Sequence, residues 1–194
     1  LRDHNPDDTA CMGRAREHGA VRYEWRDYEQ IADDLKRAVL ISEDARFMEH
    51  IGFDWRGIRH AIERNEEAGR PVAGGSTVTQ QLAKNLFLSS EKSYARKIQE
   101  ALIALMLEAT LSKKRILELY LNTAQWGNRL FGAQAAARHY FDVDAQTLSP
   151  AQAAQLAVLL SRPSYYDVRG TTVYVEQRTL WIQKQLPLVR IPPP

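Results

Sequence analysis

Ile31, Leu35 and Val39 recur four residues apart in the stretch YEQIADDLKRAVLISED, residues 28–44, which predicts an amphipathic helix. The same period returns in FDWRGIRHAIERNEEAG, residues 53–69, where Asp54 reads as the N-cap and Gly69 as the stop. RPVAGG, residues 70–75, is a loop, because proline and glycine break both kinds of regular structure. Helices are predicted over about 77–88 and 93–111, the second with Ile98, Leu102, Leu105 and Ala109 on one apolar face. SKKRILELYLN, residues 112–122, continues the pattern. GAQAAARHYF and SPAQAAQLAVLL read as alanine-rich helices, the latter with Ser149 as N-cap and Pro150 in its first turn. TVYVEQRTLWIQKQL is the last helix, and RIPPP lacks regular structure. Residues 1–20 are polar without a period and read as a loose lead-in, followed by one short strand at VRYEW, residues 21–25. The fold class expected is mostly α, with a lead-in over 1–27 and one folded unit over 28–194.

Composition narrows this picture only a little. A length of 194 residues, 44% hydrophobic and 26% charged, suits one globular domain. The 26 basic and 24 acidic residues leave a net charge of +2, too weak to argue for nucleic acid, so any cationic site must come from local clustering. Cys11 is the single cysteine, which excludes an intrachain disulfide, and it reads as incidental. No apolar run approaches the roughly 18 residues of a membrane span. The chain opens without a signal peptide and on Leu1 rather than Met, so an N-terminal segment is expected to be missing.

Three stretches carry candidate chemistry. In AGGSTVTQQLAKN, residues 73–85, helical spacing puts Thr77, Gln80, Gln81 and Lys84 on one face and Val78, Leu82 and Leu86 on the other. Gly74, Gly75 and Ser76 precede the helix N-terminus, where free N–H groups favour an anion; the plainer reading is a capped helix with a solvated polar face. In EKSYARKIQE, residues 91–100, Lys92, Arg96 and Lys97 lie close together, and Arg96 stands one turn from Glu100. That pattern is either an ordinary surface ion pair or a cationic clamp beside a carboxylate that it keeps ionised. In SEDARFMEHIGFD, residues 42–54, Glu43 and Asp44 end an apolar helix. Desolvation there suits a general base; alternatively both are solvated charges and His50 is a structural hydrogen-bonder.

Taken in order, these stretches closely resemble the peptidoglycan glycosyltransferases, glycosyltransferase family 51, lysozyme-like helical enzymes that polymerise lipid II. The family's E-D-x-x-F-x-x-H-x-G stands as Glu43, Asp44, Phe47, His50 and Gly52. Its G-G-S-T-[IV]-[TS]-Q-Q-x-x-K-N runs complete from Gly74 to Asn85, and R-K-x-x-E is Arg96, Lys97 and Glu100. K-x-x-I-L-x-x-Y-L-N leads from Lys113 or Lys114 through Ile116, Leu117, Tyr120 and Leu121 to Asn122. The resemblance spans about residues 28–166, and the C-terminal helix is similar to that of the monofunctional biosynthetic members, which carry one N-terminal membrane helix.

The resemblance implies a catalytic domain on the periplasmic side of the inner membrane, with a small membrane-proximal lobe and a mobile segment at about 50–74. It implies lipid II and the growing glycan as partners, alongside other cell-wall synthesis proteins. Glu43 is then the base, and Glu100 a second essential carboxylate that orients cations, binds a divalent cation or holds the donor. Lys84, Lys92 and Arg96 meet the leaving pyrophosphate, and Ser76, Gln80 and Gln81 hold sugar and phosphate oxygens. Thr77, Asn85 and Lys97 belong to the same wall, while Asp44, Phe47, His50, Gly74 and Gly75 support it. No organic cofactor is implied; Mg or Mn is a further expectation. Phe53, Trp55, Ile58 and Ile62, at helical spacing, either touch the membrane or pack on the core. Three positions depart from common family choices: Lys92 for arginine, and Gln125 and Gln152 for acids. The rival readings are a glycan-cleaving lysozyme-like enzyme, which has no use for cations at a phosphate, and a non-catalytic scaffold.

Overall fold

A computed structural model describes residues 1–193 apart from 72, 73, 89, 90 and 92. Among the described residues the elements run α1 (Ala10–Arg16), β1 (Arg22–Tyr23), α2 (Asp33–Glu43), α3 (Trp55–Ala68), α4 (Val78–Phe87), α5 (Tyr94–Thr110), α6 (Lys113–Thr123), β2 (Gln125–Gly127), β3 (Leu130–Phe131), α7 (Ala133–Phe141), α8 (Pro150–Leu160), α9 (Pro163–Arg169) and α10 (Val173–Gln185). The fold is mostly α, as the periodicity predicts.

The centre forms where α2 lies against α8 and α10 covers both. Leu35, Val39 and Leu40 of α2 meet Ala153, Ala154 and Ala157 of α8, all buried; the small alanines let the two helices pack closely. A second layer, α4 with α5 and α6, joins this core through Val78, Leu82, Ile116 and Leu117. Burial of this kind contributes about 1.5–3 kcal/mol per large apolar side chain. The three short strands form one sheet in the order β1–β3–β2, with β1 parallel and β2 antiparallel to β3.

Several expectations need correction. Residues 1–20 are not a loose lead-in: α1 is capped by Thr9, whose hydroxyl accepts from the Met12 N–H, and it packs on α4 with Met12 fully buried. A single apolar residue carries that contact, too few for a period to show. The predicted strand over 21–25 shrinks to Arg22–Tyr23. The apolar face of α5 points outward: Ile98 is 62% and Leu102 58% exposed, while Glu100, Ala104 and Leu107 face inward. Spacing defines a stripe but not which stripe meets the core, and here the inward side is the one that carries Glu100. On α3, Trp55 and Ile62 are exposed at 72% and 52%, whereas Phe53 and Ile58 are half-buried. Gly75 lies so close to α3 that a Cβ there would meet Ile58 at 3.0–3.2 Å. Gln152 forms a capping box with Ser149 at the start of α8. That role glutamine fills as well as glutamate. No helix among the described residues is long and apolar enough to cross a membrane.

Candidate active site

Glu43 is the last residue of α2, half-buried where α2 meets α4 and α8. Its Oε2 accepts a hydrogen bond from Gln81 Nε2 at 2.9 Å, and its Oε1 accepts from the Ser42 hydroxyl at 3.4 Å. The Tyr120 hydroxyl donates to Gln81 Oε1 at 2.9 Å. This relay fixes the amide with its N–H towards Glu43. Burial pushes the tyrosine hydroxyl far above its usual range, so it stays a donor. Burial likewise raises the Glu43 carboxyl above the ordinary value of 4.5; the bonds from Gln81 and Ser42 and the charge of Lys84 pull the other way without cancelling it. A carboxylate poised in this way, with two neutral donors and no ion pair among the described residues, suits proton abstraction.

Two cation-lined cavities share Glu43 in their walls. One, of about 480 Å³, is also lined by Gln81, Lys84, Asn85, Arg96, Tyr120 and Gln125. The other, of about 400 Å³, is also lined by Arg64, Ser76, Tyr174 and Arg178. The base therefore stands where two chambers meet, each with cations in its wall. Arg64, Tyr174 and Arg178 were not among the residues expected from sequence, since they lie in α3 and α10, outside the matched motifs.

Glu100 has a different setting. It is buried and accepts from Arg96 Nη1 at 2.8 Å and from the Lys97 ammonium. The Lys97 ammonium also donates to the Ser76 hydroxyl at 3.2 Å, which ties α5 to the turn before α4. Both oxygens of Glu100 are thus engaged by cations, and no group of three or more acidic, histidine or cysteine side chains gathers among the described residues.

The remaining site residues divide sharply. Asp44 turns away from the cleft. Its Oδ1 meets His50 Nε2 at 2.8 Å and its Oδ2 accepts from the Val78 N–H at 3.0 Å, so it pins the first turn of α4. Thr77 and Gln80 are only 2% and 3% exposed and cap α4 reciprocally; the Thr77 hydroxyl also donates to the Gly52 carbonyl at 2.7 Å. The expectation that Gln80 holds substrate oxygens is corrected, because its side-chain oxygen accepts from the Thr77 N–H at 3.0 Å and is turned back onto the cap. Thr77, though buried, lines the small hollow beside Glu43 with Ser76. Phe47 is a core residue, with Lys113 4.3 Å above its ring, and Lys113 also binds Glu108, which the Thr79 hydroxyl meets at 2.6 Å. Lys113, rather than the exposed pair Lys114–Glu29, is therefore the lysine of the fourth motif that reaches the interior. Gly74 and Ser76 line the 400 Å³ chamber, and with Gly75 they also line a smaller hollow beside Glu43. Lys92 lies outside the described residues.

A family model described as "Transglycosylase" matches residues 11–187. The chain belongs to that family. It is accordingly a glycosyltransferase of the lysozyme-like kind that the four motifs suggested, and the enzyme reading stands. The chain is 66% identical to a biosynthetic peptidoglycan transglycosylase of Alcanivorax borkumensis over 194 residues, covering 100% of this chain and 79% of that protein. It is 49% identical to the protein of the same description from Laribacter hongkongensis, over 97% of this chain and 86% of that one. A third such protein, from Azoarcus sp., is 53% identical over 86% of this chain and 75% of its own length. The match begins at Cys11, inside α1, so the segment read as a lead-in is partly family sequence.

Proposed function

We propose that this transglycosylase of cell-wall synthesis polymerises lipid II. In this reading the growing strand, linked to undecaprenyl pyrophosphate, lies with its diphosphate against Lys84 and Arg96 in the larger chamber. The incoming lipid II presents its GlcNAc 4-hydroxyl from the chamber lined by Arg64 and Arg178. Glu43 takes the hydroxyl proton as the oxygen attacks C1 of the donor MurNAc. The C1–O bond to the diphosphate breaks, the new C1–O4 bond forms, and undecaprenyl pyrophosphate leaves with the electron pair. Attack opposite the leaving group inverts the α-linked carbon and gives a β-1,4 bond. Negative charge grows on the diphosphate as the bond breaks, so cations placed there favour the transition state over the bound substrate.

The observation that carries this reading is the position of Glu43, a desolvated carboxylate in no ion pair among the described residues, where two cation-lined chambers meet. A glycan hydrolase needs neither set of cations. Glu100 clasps Arg96 and Lys97 and holds them in place. The exposed apolar residues Met48, Ile51, Trp55 and Ile62, with Ile98, Leu102, Leu105 and Met106 of α5, form the face that lies on the bilayer and admits the lipid tail. In the same reading the catalytic unit works on the periplasmic side of the inner membrane, beside other cell-wall synthesis proteins. Purified protein given fluorescent lipid II in detergent should yield a polymer ladder that a β-1,4 muramidase digests. Absence of a ladder, or a ladder resistant to the muramidase, contradicts the proposal.

A further inference from the structure

We propose that Arg14, on α1, is a third cation of the diphosphate-binding chamber. The inference rests on the reading of that chamber as the donor site and adds to it an element outside all four motifs. Cys11 and Arg14, three apart on α1, both line the 480 Å³ cavity with Glu43, Lys84 and Arg96. Arg14 is half-buried, and its Nη1 donates to the Leu88 carbonyl at 2.9 Å. Leu88 is the C-cap of α4 and its N–H bonds back to the Lys84 carbonyl, so this tether holds the guanidinium beside the last turn of α4, the turn that carries Lys84.

The electrostatics single Arg14 out. Its neighbour Arg16 pairs with Asp8, and across the cavity Arg96 pairs with Glu100. Neither Arg14 nor Lys84 makes an ion pair among the described residues, although Lys84 lies in the field of Glu43. Among the described residues the cavity wall holds three cations, Arg14, Lys84 and Arg96, against one carboxylate, Glu43, and a bound anion evens that balance. A guanidinium offers five N–H donors in a fixed fork. One is spent on the Leu88 carbonyl, which orients the plane and leaves the others for a second acceptor. The ligand class this fits is an organic diphosphate, whose oxygens span more than one cation.

Cys11 makes the inference testable apart from turnover, because it is the only cysteine and lies half-exposed in the same cavity wall. Its alkylation by iodoacetamide would be timed with and without inorganic pyrophosphate, in wild type, Arg14→Gln and Arg14→Lys. Glutamine keeps N–H donors but carries no charge, and an unchanged melting temperature serves as the folding control. Pyrophosphate should slow alkylation at least about threefold in wild type, hardly at all in Arg14→Gln, and again in Arg14→Lys. Polymerisation by Arg14→Gln should fall about tenfold, as expected for loss of one charge-assisted contact, and recover in part with lysine. Equal protection in wild type and Arg14→Gln, with polymerisation unchanged, overturns the role of Arg14 and leaves the proposed function intact. Equal protection by succinate overturns the diphosphate class. Protection that depends on Arg14 in a protein that makes no polymer from lipid II supports the anion site and overturns the polymerase reading.

Discussion

Glu43 and Glu100 are both carboxylates in helices beside one cleft, yet their surroundings are opposite. Glu43 meets an amide and a hydroxyl, faces two cavities, and has its pKa raised by burial. Glu100 is buried beneath Arg96 and Lys97 and lends its charge to holding them. A group that must take a proton needs desolvation and a free lone pair; a group that must position cations needs their company. The difference supports the proposal of Glu43 as base and of Glu100 as a positioning group. The resemblance names Glu43 as the base and leaves three roles open for Glu100, and the geometry favours the one that orients cations.

Breaking this contrast should give graded effects. Glu43→Gln removes the proton acceptor with little change of shape, and turnover should fall by about a thousandfold, within the range for general-base catalysis. Its melting temperature at neutral pH should not fall. A carboxyl whose folded pKa lies above its unfolded value stabilises the fold at low pH and loses that contribution as pH rises through the folded value, so the neutral amide costs nothing there. Lys84→Ala should lower turnover about a hundredfold and spare the fold, because Lys84 is exposed and makes no ion pair among the described residues. In the pH profile of kcat/KM, activity should rise to a plateau with a midpoint above 4.5, the ordinary glutamate value. Gln81→Leu should move that midpoint further up, since the bond from Gln81 favours the ionised carboxylate; a midpoint that stays put or drops removes Gln81 from the relay. The smallest effect on turnover belongs to Gln80→Ala. Loss of its capping bond should cost about 1 kcal/mol of stability, read as a lower Tm, while turnover stays within about threefold of wild type.

Much of this site is legible in the chain. The period of α2 places Glu43 at a helix end, and the spacing of Gln81 and Lys84, and of Arg96 and Glu100, matches the faces on which they stand. What spacing cannot express is direction and distance. It aligns Gln80 with the cleft, although capping geometry turns it inward. It shows an apolar stripe on α5 but not that the stripe faces out. Arg14, Arg64 and Arg178 reach the two chambers from α1, α3 and α10, segments far apart in the chain, so only the tertiary packing brings them together. Gln152, which looked like a lost acid, is a helix cap, and its amide serves the same backbone N–H that a carboxylate would.

The most direct test of Glu43 as the base is to give fluorescent lipid II to wild type and Glu43→Gln side by side, both confirmed folded by thermal melting, and to resolve the products on one gel. The account predicts a ladder from wild type and none from the variant, with equal or higher Tm for the variant. A ladder of similar intensity from both would contradict it and move the proton acceptor to another group.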